Sequence, residues 1–104
     1  MDDDEAVKWY RAAAEQAYPP AQYSLGYMYF VGRGVKRDDA EALRWFTRAA
    51  DLGDATAQYN LGRMYAAGEG VQRDTAQALH WYKLAAAQGH AEAKGELKAL
   101  EAVR

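Results

Sequence analysis

An all-α fold, a short α-solenoid (an alpha-alpha superhelix) of antiparallel helix pairs with a 36-residue period, is predicted by three observations in the 104-residue sequence. First, the only tryptophans are Trp9, Trp45 and Trp81, each 36 residues after the last, and self-similarity at a fixed step of this size marks repeat architectures. Second, the same shift pairs Ala6, Ala42 and Ala78, and likewise Asp2, Asp38 and Asp74. It also lays Ala21-Gln22-Tyr23, Leu25-Gly26, Met28-Tyr29 and Gly32-Arg33-Gly34-Val35 on Ala57-Gln58-Tyr59, Leu61-Gly62, Met64-Tyr65 and Gly68-Glu69-Gly70-Val71. Third, the apolar positions inside each unit recur at helical spacing.

Each element follows from local signals. Residues 3–16 form a helix of the second type in the unit, helix B, because Asp2 and Glu5 have capping-box spacing and the Asp carboxylate can accept from unpaired first-turn amides. Pro19-Pro20 lies in a connection, and proline suits the first turn of the helix A that follows over 20–31, since the amide it lacks would be unpaired there. Ala21, Leu25, Met28 and Tyr29 give that helix its i, i+4, i+7, i+8 stripe. Gly32 to Val35 reverses the chain. Over 39–52 a second helix B carries Ala42, Trp45, Phe46, Ala49 and Ala50 on one stripe, opened by Asp38 and Glu41 and followed by Gly53, a residue at ease in a left-handed C′ position. Helix A recurs over 55–67 and helix B over 75–88, with Asp74, Gln77 and Gly89 repeating the same signals. In the last helix, Ala93, Leu97 and Leu100 keep the buried stripe, but Lys98 stands where Gly26 and Gly62 stood and Glu101 replaces Tyr29 and Tyr65. That helix reads as a polar C-terminal cap, which solenoids require for solubility. The organisation is thus one domain, 1–104, with a half repeat at 2–18 (helix B only), repeats at 19–54 and 55–90, and a capping helix over 91–104.

Two expectations concern packing. Interior glycine costs a helix roughly 1 kcal/mol against alanine, so Gly26 and Gly62 imply close helix approach, with a bulky helix B residue such as Trp45 or Phe46 packed over the missing side chain. The three tryptophans share their stripe with alanines and are expected in the core.

Composition excludes several function classes. Thirteen Lys and Arg against fifteen Asp and Glu leave a net charge of −2, which supplies no footprint for nucleic acid or an anionic membrane. The absence of cysteine removes disulfides, thiol redox chemistry and thiolate metal sites. The N-terminal Met1-Asp2-Asp3-Asp4-Glu5 is acidic where a signal peptide would be basic, and no apolar run approaches the roughly 18 residues of a membrane span. A soluble chain without a signal peptide or membrane insertion is expected, cytoplasmic by default.

No catalytic or cofactor-binding constellation is found. Gly32-Arg33-Gly34 lacks the third glycine, the preceding strand and the Gly-Lys-Ser/Thr of phosphate loops, and reads as a turn. His80 and His90 have no partner at metal-ligand spacing and read as surface residues. No Ser/His/Asp or Cys/His set exists to propose.

The run Ala21, Tyr23, Leu25-Gly26, Tyr29, Gly32, Gly34-Val35, Asp38, Ala42, Trp45, Ala49-Ala50 and Gly53, repeated from Ala57 to Gly89, resembles the Sel-like repeat, a relative of the tetratricopeptide repeats. The resemblance covers nearly the whole chain. It implies a solenoid whose A helices line a concave surface that holds other proteins, as in scaffolds and adaptors rather than enzymes; fold analogy alone does not choose among those roles.

On the helix A face, Tyr23, Tyr27 and Phe30 form an i, i+4, i+7 stripe roughly opposite Ala21, Leu25 and Met28. Their counterparts in the next unit are Tyr59, Arg63 and Ala66. Tyr, Phe and Arg on one surface match the composition of a protein-binding hot spot, so Tyr23, Tyr27, Phe30, Tyr59 and Arg63 are the expected binding residues for a protein or peptide partner. Tyr23 and Tyr59 belong to the repeat pattern, which is as consistent with packing between neighbouring helices as with contact to a partner. Tyr27, Phe30 and Arg63 differ between the units, so the scaffold does not dictate them. The competing expectation is a structural spacer that self-associates through the N-terminal end, where the chain opens on a helix B with no helix A before it.

Overall fold

Six helices follow one another through connections of three to seven residues in a computed structural model that describes residues 2–102: α1 (Asp3–Glu15), α2 (Pro19–Val31), α3 (Asp39–Asp51), α4 (Ala55–Ala67), α5 (Thr75–Ala87) and α6 (Ala91–Ala102). The described residues contain no strand. The expected bounds hold to within a residue at each end of α1 to α5.

The termini are set by the residues that the period singled out. Asp2, Asp38 and Asp74 accept from the amides of Glu5, Glu41 and Gln77 at 2.8, 3.1 and 3.1 Å. Asp54, a cap that the sequence reading passed over, does the same for α4 through the Ala57 amide at 2.9 Å. At α2 this cap is absent; Tyr18 occupies the position and Pro19-Pro20 opens the helix instead. Two residues past the ends of α3 and α5 the backbone turns left-handed, with φ of 96° at Gly53 and 89° at Gly89. At the equivalent point after α1 an alanine, Ala17, holds φ 62°.

The tightest packing joins α2 to α3 and α4 to α5, the two helix A/helix B pairs, and looser contacts of α1 with α2, α3 with α4 and α5 with α6 stack the pairs into an elongated body of 44 × 24 × 19 Å. Two clusters form the core. One gathers Ala42, Phe46, Ala49, Ala57, Leu61 and Met64 between α3 and α4. The other gathers Val7, Ala14, Ala21, Leu25, Met28 and Trp45 across α1, α2 and α3.

The interior glycines mark the close approach. A methyl group at Gly26 would lie 2.9 Å from the Phe46 ring, and one at Gly62 would lie 2.5 Å from the Tyr82 ring. Phe46 and its counterpart Tyr82, rather than Trp45, are therefore the residues over the missing side chains. The tryptophans differ from one another. Trp45 is 6% exposed, Trp81 is half-buried, and Trp9 is 67% exposed, against the expectation of a core position. The cause is local: Trp45 packs into the cluster it forms with α1 and α2, whereas Trp9 belongs to neither cluster. No helix among the described residues is long and apolar enough to cross a membrane.

Candidate functional site

The expected site residues sit on α2 and α4, each held by a helix on both flanks. A helix that is apolar nearly all round is one buried between neighbours, and α2 lies between α1 and α3. Its Leu25 and Met28 enter the cluster shared with α1, while Tyr23 and Phe30 pack against the cluster around Phe46. The Tyr23 and Phe46 rings are 5.5 Å apart and those of Phe30 and Phe46 are 6.4 Å apart. The apolar stripe opposite Leu25 is thus largely the contact with α3, and it leaves Tyr27 as its exposed member, at 42%.

Tyr27 and Tyr23 stack with centroids 6.3 Å apart. On α4, the Arg63 guanidinium lies 5.8 Å from the centre of the Tyr59 ring, a cation–π pairing at a solvent-facing position. The structure therefore brings the five residues together as two couples, Tyr23 with Tyr27 and Tyr59 with Arg63. Phe30 stands apart against Phe46, with the Arg37 guanidinium 6.0 Å from its ring.

Several neighbours of these couples escaped the sequence reading. Burial raises the pKa of the Tyr23 hydroxyl, and the Asn60 side chain beside it on α4 opposes the rise. Tyr82, beneath Tyr59 with centroids 6.1 Å apart, is pushed up to about 12 by burial; the Glu96 carboxylate and Tyr59 add to the rise, and the Arg63 guanidinium counters it. His90 is not merely a surface residue: it stacks on Tyr59 at 4.7 Å, and its Nδ1 accepts from the Ala93 amide at the start of α6. His80 is exposed and meets Trp81 edge-on. The available signal was the period itself, which equates His90 with the cap Asp54 and Glu96 with Asn60.

A groove of about 470 Å³ opens between α1 and α2, bordered by Ala6, Tyr10, Tyr23, Ser24 and Tyr27. A second, of about 290 Å³, adjoins it at Tyr10 and Ser24 and is walled by Trp9, Ala13 and Tyr18. Among the described residues no three His, Cys, Asp or Glu side chains converge to hold a metal ion.

The sequence model of the Sel1 repeat matches residues 2–18, 19–54 and 55–90. No curated protein matches the chain. Among solved structures, c5321, described as a protective antigen present in uropathogenic Escherichia coli strains and displaying an SLR fold, is 44% identical with a TM-score of 0.91, over 92% of this chain and 21% of that one. A Sel1 repeat protein from Oxalobacter formigenes is 49% identical with a TM-score of 0.90, over 94% of this chain and 74% of its own. Cysteine rich protein B of Helicobacter pylori is 27% identical with a TM-score of 0.89, over 93% and 73%. The chain thus spans about a fifth of the first of these proteins and about three quarters of the other two.

Proposed function

The chain belongs to the Sel1 repeat family, whose members are generally protein-interaction modules rather than catalysts, and from that premise we propose that it binds a peptide or helix of a partner protein on its helix A face. The observation that carries this reading is the pair of exposed, unit-specific side chains, Tyr27 on α2 and Arg63 on α4, each seated on a half-buried tyrosine of its own helix. Such a base restricts the outer side chain before binding, so less rotamer freedom is lost on contact, which favours affinity. Tyr27 supplies apolar area with a polar tip, and Arg63 supplies a charge for an acidic or backbone group. Tyr23, Phe30 and Tyr59 contribute mainly by holding this face in shape, since each packs against Phe46 or Tyr82.

The test uses a double variant, Tyr27→Ala with Arg63→Ala, checked for unchanged helicity. Phe30 is left intact because its contact with Phe46 supports the core. Affinity capture from the source cell's lysate is compared for the two baits by mass spectrometry. Loss of the same partner with the variant supports the helix A face; equal recovery removes it.

Self-association through the N-terminal end is the second reading, and the exposure of Trp9 and Tyr18 favours it. Light scattering across a concentration series decides, because a constant monomer mass eliminates it.

A further inference from the structure

We propose that His90 is an acid-released cap: with its ring neutral it fastens the first turn of α6 beside Tyr59, and with its ring protonated it lets that turn go. This deepens the helix A reading, and rests on it only for its consequence, which is that the order of that face depends on pH.

The cap is built like the others in the chain but from a different acceptor. The His90 carbonyl accepts from the Lys94 amide at 3.0 Å and its Nδ1 accepts from the Ala93 amide at 3.2 Å. His90 thereby does for α6 what Asp54, its counterpart 36 residues earlier, does for α4. Nδ1 is bonded to Cγ, as the Oδ1 of an aspartate is, so the two acceptors reach the same amide. The remaining side-chain caps, Asp2, Asp38 and Asp74, are carboxylates as well.

That difference matters when the solution is acidified. Accepting at Nδ1 requires a lone pair there, which puts the proton of the neutral ring on Nε2. The next proton goes to Nδ1, turns the acceptor into a donor facing the Ala93 amide, and sets a positive charge at the positive end of the helix. Carboxylates ordinarily keep their charge down to about pH 4, whereas histidine changes charge between about pH 5 and 8. In that interval the aspartate caps hold and the α6 cap is lost.

The surroundings do not replace it. From α4 the ring meets Tyr59, stacked at 4.7 Å, and Arg63, whose guanidinium already lies 5.8 Å from the centre of the Tyr59 ring. From α5 comes Tyr82, 6.1 Å from Tyr59, and from α6 itself Glu92, Lys94 and Glu96. Glu92 and Glu96 favour the imidazolium, and Arg63, Lys94 and the helix end oppose it. Neither carboxylate returns an acceptor to the Ala93 amide, and among the described residues none pairs with the His90 ring. The first turn has little else to hold it: Ala93 is the buried residue of α6, and Gly95 just beyond weakens the helix. Loosening this turn removes the imidazole from the Tyr59 ring, and with it one support of the Tyr59–Arg63 couple.

The test is amide exchange with water, followed by NMR on the 15N-labelled protein at about pH 7.5 and about pH 5, with each rate divided by that of an unstructured chain at the same pH. Protection of the Ala93 amide is expected to fall about fivefold on acidification, the change that corresponds to the usual worth of a helix cap. The Ala57 amide, held by Asp54, keeps its protection. In His90→Asp, which installs the cap used elsewhere in the chain, Ala93 is protected equally at both values. The proposal is overturned by unchanged Ala93 protection in the parent, by a matching fall at Ala57, or by the same fall in His90→Asp. A ring protonated at Nδ1 rather than Nε2 at the higher pH, read from its 15N shifts, overturns it too. All of these are read without a partner, so they stand apart from failure of the helix A face, which the Tyr27→Ala, Arg63→Ala bait decides.

Discussion

Gln88 donates from Nε2 to Oε1 of Gln58 at 3.0 Å and also to the Gly53 carbonyl at 2.8 Å, while Gln58 donates to the Ala50 carbonyl at 3.1 Å. One unit earlier the ladder is broken. Gln22 donates to the Ala14 carbonyl at 3.2 Å, but its buried Oε1 has no partner, because Leu52 stands where Gln88 stands. Leu52 is 53% exposed, so little apolar burial is lost on replacing it. Leu52→Gln is expected to stabilise the fold by about 1 kcal/mol, the usual net worth of a hydrogen bond, and to raise the melting temperature by about 4–8 °C for a domain of this size. Thermal unfolding followed by circular dichroism checks it; a lower melting point refutes the account.

Ala17→Gly should stabilise as well. A non-glycine residue held in the left-handed region carries a cost of roughly 1–2 kcal/mol, offset by about 0.4–1 kcal/mol from the greater freedom of glycine in the unfolded chain. A net gain of about 0.5–1 kcal/mol is expected in urea unfolding, with an unchanged slope. The same substitution at Ala12, exposed within α1, should destabilise by about 1 kcal/mol.

Glycines on successive A-type helices answer oppositely to a side chain. Gly62→Leu sets a branched group into the Tyr82 ring and is expected to cost at least about 3 kcal/mol, a large part of the 5–15 kcal/mol typical of a domain. A methyl group added at Gly95 would meet nothing within 4 Å, so Gly95→Ala should gain about 0.5–1 kcal/mol through helix propensity. Chemical denaturation of both variants provides the comparison, and equal midpoints would sink it.

Alkaline pH should unfold the protein through Tyr82. Its hydroxyl titrates near 10 when unfolded and at about 12 when folded, so above pH 10 the unfolded chain loses the proton first. The Tyr82 contribution is constant below pH 10, falls between pH 10 and 12, and is lower by roughly 2–3 kcal/mol beyond that. Tyr23, shifted in the same direction by burial, adds to the decline. Tyr82→Phe should flatten most of it in unfolding midpoints measured from pH 8 to 12.

The period made the helices legible because equivalent positions share backbone chemistry: Asp38 and Asp74 cap as expected, and Gly26 and Gly62 do mark tight crossings. It conveyed less about neighbours. Trp9 has the sequence surroundings of Trp45, yet its exposure depends on which helix lies over it, a property of the stack and not of the stripe. Phe30 looked free for binding because Ala66 replaces it in the next unit; in fact α2 is flanked on both sides, and its second apolar stripe faces α3. The glutamine ladder was visible only as the recurrence of Gln22 and Gln58, whose partner at residue 88 breaks the repeat at residue 52.

Every substantial helix contact in this chain joins neighbours along the sequence, from α1 with α2 through to α5 with α6. Chain segments therefore need to search only a short distance to find their partners, and loop closure costs little before packing rewards it. Low contact order of this sort corresponds to folding in microseconds to milliseconds. Since neither end closes onto the other, assembly can start at any one helix pair and spread outward, and the outermost helices should be the first to exchange their amide protons.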